Sequence, residues 1–422
     1  MRNASGGLAR AVIACALVSG CAHGGTVLPP PLPPPGDPPD QAEVERWEEA
    51  TAVFARHEAA GAWDGEACRE ALEAFERVSA RGQRARAVYM NGLVAQRCGN
   101  DEGARQLFTR ALELESGLCE ARVAIGLLEL DAGRTAPARE AFEQAVRDDN
   151  RCATGYVNLA VIQSRTPAER GEAIANLRRA LAVQADFLPA LNQMARIYLE
   201  QSEERPELLS LAAVVCRQAQ LIDASYAPIY NTWALIDLAQ GDLTRAVAKL
   251  DRAVTLDPTF YEAWMNFGQI TLSQRAYDDA ARAFGQARAL RPESYDAAVG
   301  LGVALRGLSR PDDAEQSYRA ALDLDGDRAE AWFDLAVLYH EHRDGTAEQL
   351  RQALELLGEF VQRARGEPTM AADLQDTLRW CGEPQQGRRA RSACRPGRAE
   401  VIVRSLDLLG SAVPRPAWTV SP

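Results

Sequence analysis

The stretch YEAWMNFGQITLSQRAYDDAARAFGQARALRP, Tyr261 to Pro292, decides the fold. Trp264, Phe267, Gly268, Ala280, Phe284, Ala287 and Pro292 stand at its fourth, seventh, eighth, twentieth, twenty-fourth, twenty-seventh and thirty-second places. Apolar residues three and four apart mark helices. Small residues at places eight and twenty let two such helices approach closely. Large ones at four, seven and twenty-four fill the space between them. The proline stops the second helix, because the residue before it is pushed out of the helical region.

The pattern recurs. One period of about 34 residues upstream it is met by Tyr230, Trp233, Ala234, Ala246, Leu250, Ala253 and Pro258. Downstream it is met by Leu301, Gly302, Ala314, Tyr318 and Ala321, then by Trp332, Leu335, Ala336 and Tyr339. Units therefore start at 227, 261, 295 and 329. Looser units start near 85 (Gly92, Ala104, Phe108, Ala111), 119 (Gly126, Ala138, Phe142, Ala145), 153 (Leu159, Ala160, Ala173, Leu177, Ala180) and 188 (Met194, Ala195, Tyr198, Ala212, Ala219). The unit at 188 has five extra residues around SEERPELL, which lengthen its internal turn. Ala71, Phe75 and Val78 indicate a degenerate first unit from about 43.

This spacing resembles the tetratricopeptide repeat (TPR), and the resemblance implies an all-α fold. The expected architecture is a solenoid of helical hairpins, a right-handed superhelix of eight to nine repeats over 43–367 with a C-terminal capping helix over 368–381. Met370, Leu374 and Leu378 supply the apolar stripe of that cap. By the same resemblance, places two, five, nine, twelve and thirteen line a concave partner-binding groove. The residues so placed include Tyr89, Arg97, Arg165, Asn192, Arg196, Asn231, Met265, Gln269, Arg306, Phe333 and His340. The competing reading buries some of them against the neighbouring turn. Asn158 and Asn266 stand where some TPR proteins clamp a C-terminal carboxylate. That clamp also needs groove lysines, and the chain's single lysine, Lys249, lies on a second helix.

Upstream of the repeats, Arg2 and Arg10 precede a short apolar run, Ala11 to Val18, which ends at Ser19, Gly20 and Cys21. The run is far short of the roughly 20 residues needed to span a bilayer. It has the form of an export signal. Val18-Ser19-Gly20-Cys21 resembles the end of a bacterial lipoprotein signal, which would make 1–20 the signal peptide and Cys21 the lipidated residue. Ala22, rather than aspartate, implies sorting to the outer membrane. An ordinary export signal with a coincidental cysteine is the alternative. Residues 21–42 are rich in Gly and then Pro and read as a polyproline II tether. At about 3.1 Å per residue it would reach up to about 60 Å. A PxxP ligand is the rival reading.

Other functions are disfavoured. Acidic residues outnumber basic ones, 59 to 47, for a net charge of −12, which argues against nucleic-acid binding. No P-loop, GxGxxG, HExxH or CxxC is present. His340 and His342 are two apart, which puts them on opposing sides of a helix. No enzyme activity, cofactor or metal is expected. Seven cysteines follow Cys21. Cys381 and Cys394, bracketing a loop in the 382–422 tail, are expected to be bridged in an exported protein. Cys68 with Cys98 and Cys119 with Cys152 are further possible pairs, and Cys216 falls at a core place. Arg388, Arg389, Arg391 and Arg395 form a local basic patch, read either as a contact for an anionic partner or as a solvated loop.

Taken together, the chain resembles TPR outer-membrane lipoproteins, either those of myxobacterial gliding-motility complexes or, less closely, type IV pilus pilotins. The resemblance implies a lipid-anchored scaffold facing the periplasm that holds protein partners of an envelope machine. A glycan-binding or polysaccharide-export accessory role, with the basic loop as contact, is the alternative.

Overall fold

The computed structural model describes residues 41–79, 84–341 and 346–364. Every regular element among them is helical. The helices are α1 (Gln41–Ala60), α2 (Gly65–Ser79), α3 (Ala85–Arg97), α4 (Asp101–Leu114), α5 (Cys119–Asp131), α6 (Thr135–Asp148), α7 (Ala153–Ser164), α8 (Arg170–Val183) and α9 (Leu188–Gln201). They continue as α10 (Leu208–Ile222), α11 (Ala227–Ala239), α12 (Leu243–Leu256), α13 (Tyr261–Ser273), α14 (Tyr277–Leu290), α15 (Tyr295–Gly307), α16 (Pro311–Leu324), α17 (Glu330–Glu341) and α18 (Ala347–Arg363). Odd-numbered helices are the first members of the repeats and even-numbered ones the second. Helix starts at 85, 119, 153, 188, 227, 261 and 295 coincide with the unit starts read from the sequence. The last unit begins one residue later, at Glu330, and α1 begins at Gln41. The extra residues of the unit at 188 form the turn between α9 and α10.

The described chain divides into two compact bodies, one ending at Ile236 and one beginning at Asp237. In each, a second helix packs on its own first helix and on the next one. Phe142 of α6, for example, is fully buried with Val123 of α5 and with Leu159 and Ile162 of α7. Phe284 of α14 is enclosed with Met265 of α13 and with Ala297 and Ala304 of α15.

Helices approach closely at places eight and twenty-four. Gly92 faces Phe108, Gly126 faces Phe142, Gly268 faces Phe284 and Gly302 faces Tyr318, with the ring against the bare glycine. A Cβ on Gly126 would stand 2.8 and 2.9 Å from Cδ1 and Cζ of Phe142, a distance real side chains do not adopt. Where place eight is alanine instead (Ala160, Ala195, Ala336), place twenty-four holds the smaller Leu177, Cys216 or Leu357. All of these are buried. Where leucine replaces the ring, the two places thus exchange volume while their sum is nearly kept, as close packing demands. Ala195 with Cys216 gives a smaller sum, and Ala50 with Phe75 in the first hairpin a larger one. Tyr318 adds a hydroxyl that has no hydrogen-bond partner among the described residues.

Turns follow a shared chemistry. The fifteenth place is left-handed at Gly99, Gly133 and Gly241, with φ of 74°, 74° and 81°. Arg275 and Ser309 hold the same conformation at 60° and 59°, at the cost a Cβ carries there. Asn100 and Asp242 then cap the second helices, accepting from Gly103 N at 2.9 Å and Arg245 N at 3.0 Å. Between repeats, Asp149, Asp223, Asp257 and Asp325 each accept from the backbone N–H two residues on.

Two disulfides join neighbouring hairpins. Cys68 in the first turn of α2 is bonded to Cys98, the C-cap of α3, with Cα atoms 6.0 Å apart. Cys119 at the start of α5 is bonded to Cys152, the N-cap of α7, at 5.7 Å. Cys216 is fully buried and belongs to neither bridge. Cys381, Cys394, the capping segment 368–381 and the tail 382–422 lie outside the described residues, as do Cys21 and residues 22–40 of the tether, whereas residues 41 and 42, read as tether, open α1.

Gly126→Ala is expected to lower stability by about 1–3 kcal/mol through overpacking, partly offset by the better helix propensity of alanine. Phe142→Leu removes the clash at a cost of its own. The account expects the double variant to lose clearly less than the sum of the two single losses, read as a coupling energy from chemical denaturation. Additive losses would show that the two places do not constrain one another.

Candidate interaction surfaces

Successive first helices touch one another directly: α5 meets α7, α7 meets α9, α13 meets α15 and α15 meets α17. This defines the inner side of the stack within each body. The residues expected to line it divide into three groups.

Tyr89, Asn231 and Met265 are buried. Tyr89 packs on Phe108 with ring centroids 5.6 Å apart, and burial drives its phenol well above the ordinary value. These side chains serve the hairpin contacts. Arg97, Arg306 and Phe333 reach the surface but are engaged within the chain. Arg97 pairs with Glu58 at 2.9 Å, and Glu58 raises its pKa further. Arg306 pairs with Asp334 at 3.0 Å. Phe333 stacks at a tilt on Phe360, 5.1 Å between centroids. Arg165 is exposed, and Asn192, Arg196, Gln269 and His340 are half-buried.

In the first body the structure gathers several of these groups. The Thr232 hydroxyl donates to Asn192 Oδ1 at 2.7 Å, joining α11 to α9. Arg170, at the start of α8, lies 3.6 Å from Glu200 of α9. It also donates to the carbonyl of Ser164, next to Arg165, at 3.3 Å. Burial raises the Glu200 carboxyl, against the lowering pull of Arg196 and Arg170. The inner side near α7 to α9 therefore offers guanidinium groups, an amide and a carboxyl that favours its proton, a set suited to hydrogen-bonding a peptide. The sequence reading missed Arg170, Glu200 and Thr232. Glu200 carried a signal, since it stands at place thirteen, four residues after Arg196. Arg170 is the first residue of α8, outside the places that the repeat register assigns to the inner side.

The single lysine is also committed. Lys249 Nζ donates to the buried Asp237 carboxylate at 2.5 Å. Asn158 donates to the Thr154 carbonyl of its own helix at 2.9 Å. A cleft of about 310 Å³ lies beside α4 and α5, lined by Asp101, Glu102, Arg105, Leu128, Asp131, Ala132 and Arg134. Its two arginines both pair with Glu129. Among the described residues no group of three or more His, Cys, Asp or Glu is placed to hold a metal ion. None of the described helices is long and apolar enough to cross a membrane.

A stack of helical hairpins joined mainly to their neighbours is the architecture of a repeat protein. Residues 231–281, 267–327 and 304–356 match the family model of the tetratricopeptide repeat. Residues 231–356 therefore carry tetratricopeptide repeats. No curated protein matches it. Among solved structures it is similar to YrrB, described as a TPR protein with an unusual peptide-binding site. The identity is 22%, the TM-score 0.34, and the match covers 46% of this chain and 96% of that one. MamA from Desulfovibrio magneticus RS-1 is 17% identical at a TM-score of 0.37, covering 42% and 97%. Yeast Tom70 is 11% identical at 0.37, covering 88% and 95%.

Glu200→Gln tests the electrostatics of this surface. A carboxyl whose pKa is raised by folding costs stability above its unfolded value, 4.5, and the cost grows as pH rises to the folded value. The variant should therefore melt higher than wild type at pH 7. The difference should shrink as pH falls and close below 4.5, where the wild-type side chain becomes protonated in both states. A variant less stable than wild type at pH 7 would mean that the Arg170 pair outweighs the burial.

Proposed function

We propose that this protein is a lipid-anchored interaction scaffold of a bacterial outer membrane, facing the periplasm, that holds protein components of an envelope machine such as a gliding-motility complex. The observation that carries the reading is the inner side of the first helices. There Arg165, Asn192 and Arg196 of the first body stay accessible on a framework fixed by buried contacts. Repeats of this kind act as protein–protein interaction scaffolds, and accessible polar groups on rigid helices order a bound segment at low entropic cost. Two disulfides support an oxidising compartment, which an exported protein reaches and a cytosolic one does not. The Val18-Ser19-Gly20-Cys21 sequence supports an acyl anchor, and several chains would hold it firmly.

Two measurements bear on this reading. Cys21→Ala should appear as soluble, full-length protein where wild type fractionates with membranes. An unchanged distribution would remove the anchor. Affinity purification of the wild-type protein from detergent extracts should recover outer-membrane barrel or secretin proteins. Retention instead on purified peptidoglycan or exopolysaccharide, with no protein recovered, would replace the scaffold by a glycan-binding role.

A further inference from the structure

The outer face of α10 breaks the pattern of every other repeat. In each second helix the buried alanine at place twenty fixes the register, and places nineteen, twenty-two, twenty-six and twenty-nine look outward. In the other repeats these places hold residues such as Gln106, Arg110 and Glu113, or Glu140, Gln144 and Arg147, or Asp279, Arg282 and Gln286. None of the other second helices carries Leu, Val, Ile, Met or an aromatic at any of them. In α10 the same places are Leu211, Val214, Gln218 and Leu221. Leu211 is 42% exposed, Val214 60% and Leu221 82%, and the adjoining Ile222 is 40% exposed. Of the six large hydrophobic residues left exposed among the described ones, these four belong to one helix. Scattered single exposures need no explanation, whereas a continuous stripe on a polar surface marks a contact.

Charge identifies what covers it. Most of the described arginines are tied to a carboxylate of the same chain, as in Arg122–Asp148, Arg139–Glu169 and Arg291–Glu262. The exposed arginines on this surface are not: Arg217 on α10 and Arg178 at the equivalent place of α8 form no ion pair among the described residues. A second copy of the chain is a poor occupant. Pairing α10 with itself about the middle of the stripe, antiparallel or parallel, sets Arg217 beside its own duplicate.

We propose that the outer face of α10 docks an amphipathic helix of a protein partner, with an aliphatic stripe at i, i+3/i+4 spacing edged by Asp or Glu. Leu211, Val214 and Leu221 take the stripe, and Arg178 and Arg217 meet the carboxylates. This surface is distinct from the inner side of the first helices, so the scaffold would hold two partners at once. The proposal rests on the reading of the protein as an interaction scaffold.

Photo-crosslinking in the native cells tests it, with p-benzoylphenylalanine placed in the full chain at Val214 or Leu221, at the inner residue Arg165, and at Gln286 as an outward control. The expected result is a protein crosslink at 214 and 221 and none at 286. The crosslinked peptide, sequenced by mass spectrometry, should carry an aliphatic stripe flanked by acidic residues. Arg217→Glu, an exposed change that should leave the melting temperature unaltered, should cut the yield at 221 at least tenfold. A crosslink to a second copy, to lipid, or to a peptide without that pattern overturns the proposal, as does a yield indifferent to Arg217→Glu. A crosslink at 165 with none at 214 and 221 overturns it while leaving the scaffold reading in place. Silence at all of 165, 214 and 221 ends both.

Discussion

An aromatic ring laid against a helix backbone that has no Cβ is the contact on which this structure depends. It sets the spacing inside a hairpin, and through the rest of the same buried ring it sets the spacing to the next hairpin. Phe284 shows both: Gly268 of its own repeat and Gly300 of the next each present bare backbone to the ring. Where the ring is replaced by leucine, alanine fills the opposite place, so the sum of the two volumes is nearly constant. A chain built on such contacts gains stability mainly from nearest neighbours and does not need one central core. The two disulfides act at the same level, each tying one hairpin to the next.

The same arrangement separates structure from recognition. The side chains that hold hairpins together are small or aromatic and face inward between helices. The side chains free to meet a partner sit either on the inner side of the first helices or on the outer side of the second. On the inner side, accessible groups near α7 to α9 are polar and partly neutralised among themselves. On the outer side most of the surface is a lattice of short-range ion pairs, such as Arg110–Glu113 and Arg282–Asp279, worth little to stability but well suited to solubility. The apolar face of α10 stands out only against that lattice.

Much of this was legible from the residues. The period and the small–large alternation located the helix starts, and the five extra residues located the long turn before α10. Cys68 with Cys98 and Cys119 with Cys152 were readable as pairs, because antiparallel hairpins bring helix ends of adjacent repeats together. The surface was harder. Register alone assigned Tyr89 and Met265 to an accessible groove. It carries no information on how deeply a neighbouring first helix covers a given place, and both side chains are buried. Register likewise gave no hint of Arg170, which reaches Glu200 from the first residue of a second helix. The stripe on α10 was present in the sequence, but it reads as ordinary helical hydrophobicity until Ala212 and Cys216 are seen to be the buried face.

The central claim is that the place-eight and place-twenty-four contact carries the stack. Amide hydrogen exchange on the purified, oxidised chain measures this most directly, because protection reports local opening free energy. The account predicts that peptides spanning Gly92, Gly126, Gly268 and Gly302 are among the slowest to exchange, by orders of magnitude over the turn 202–207. Exchange at those glycine-bearing segments as fast as in that turn would contradict it.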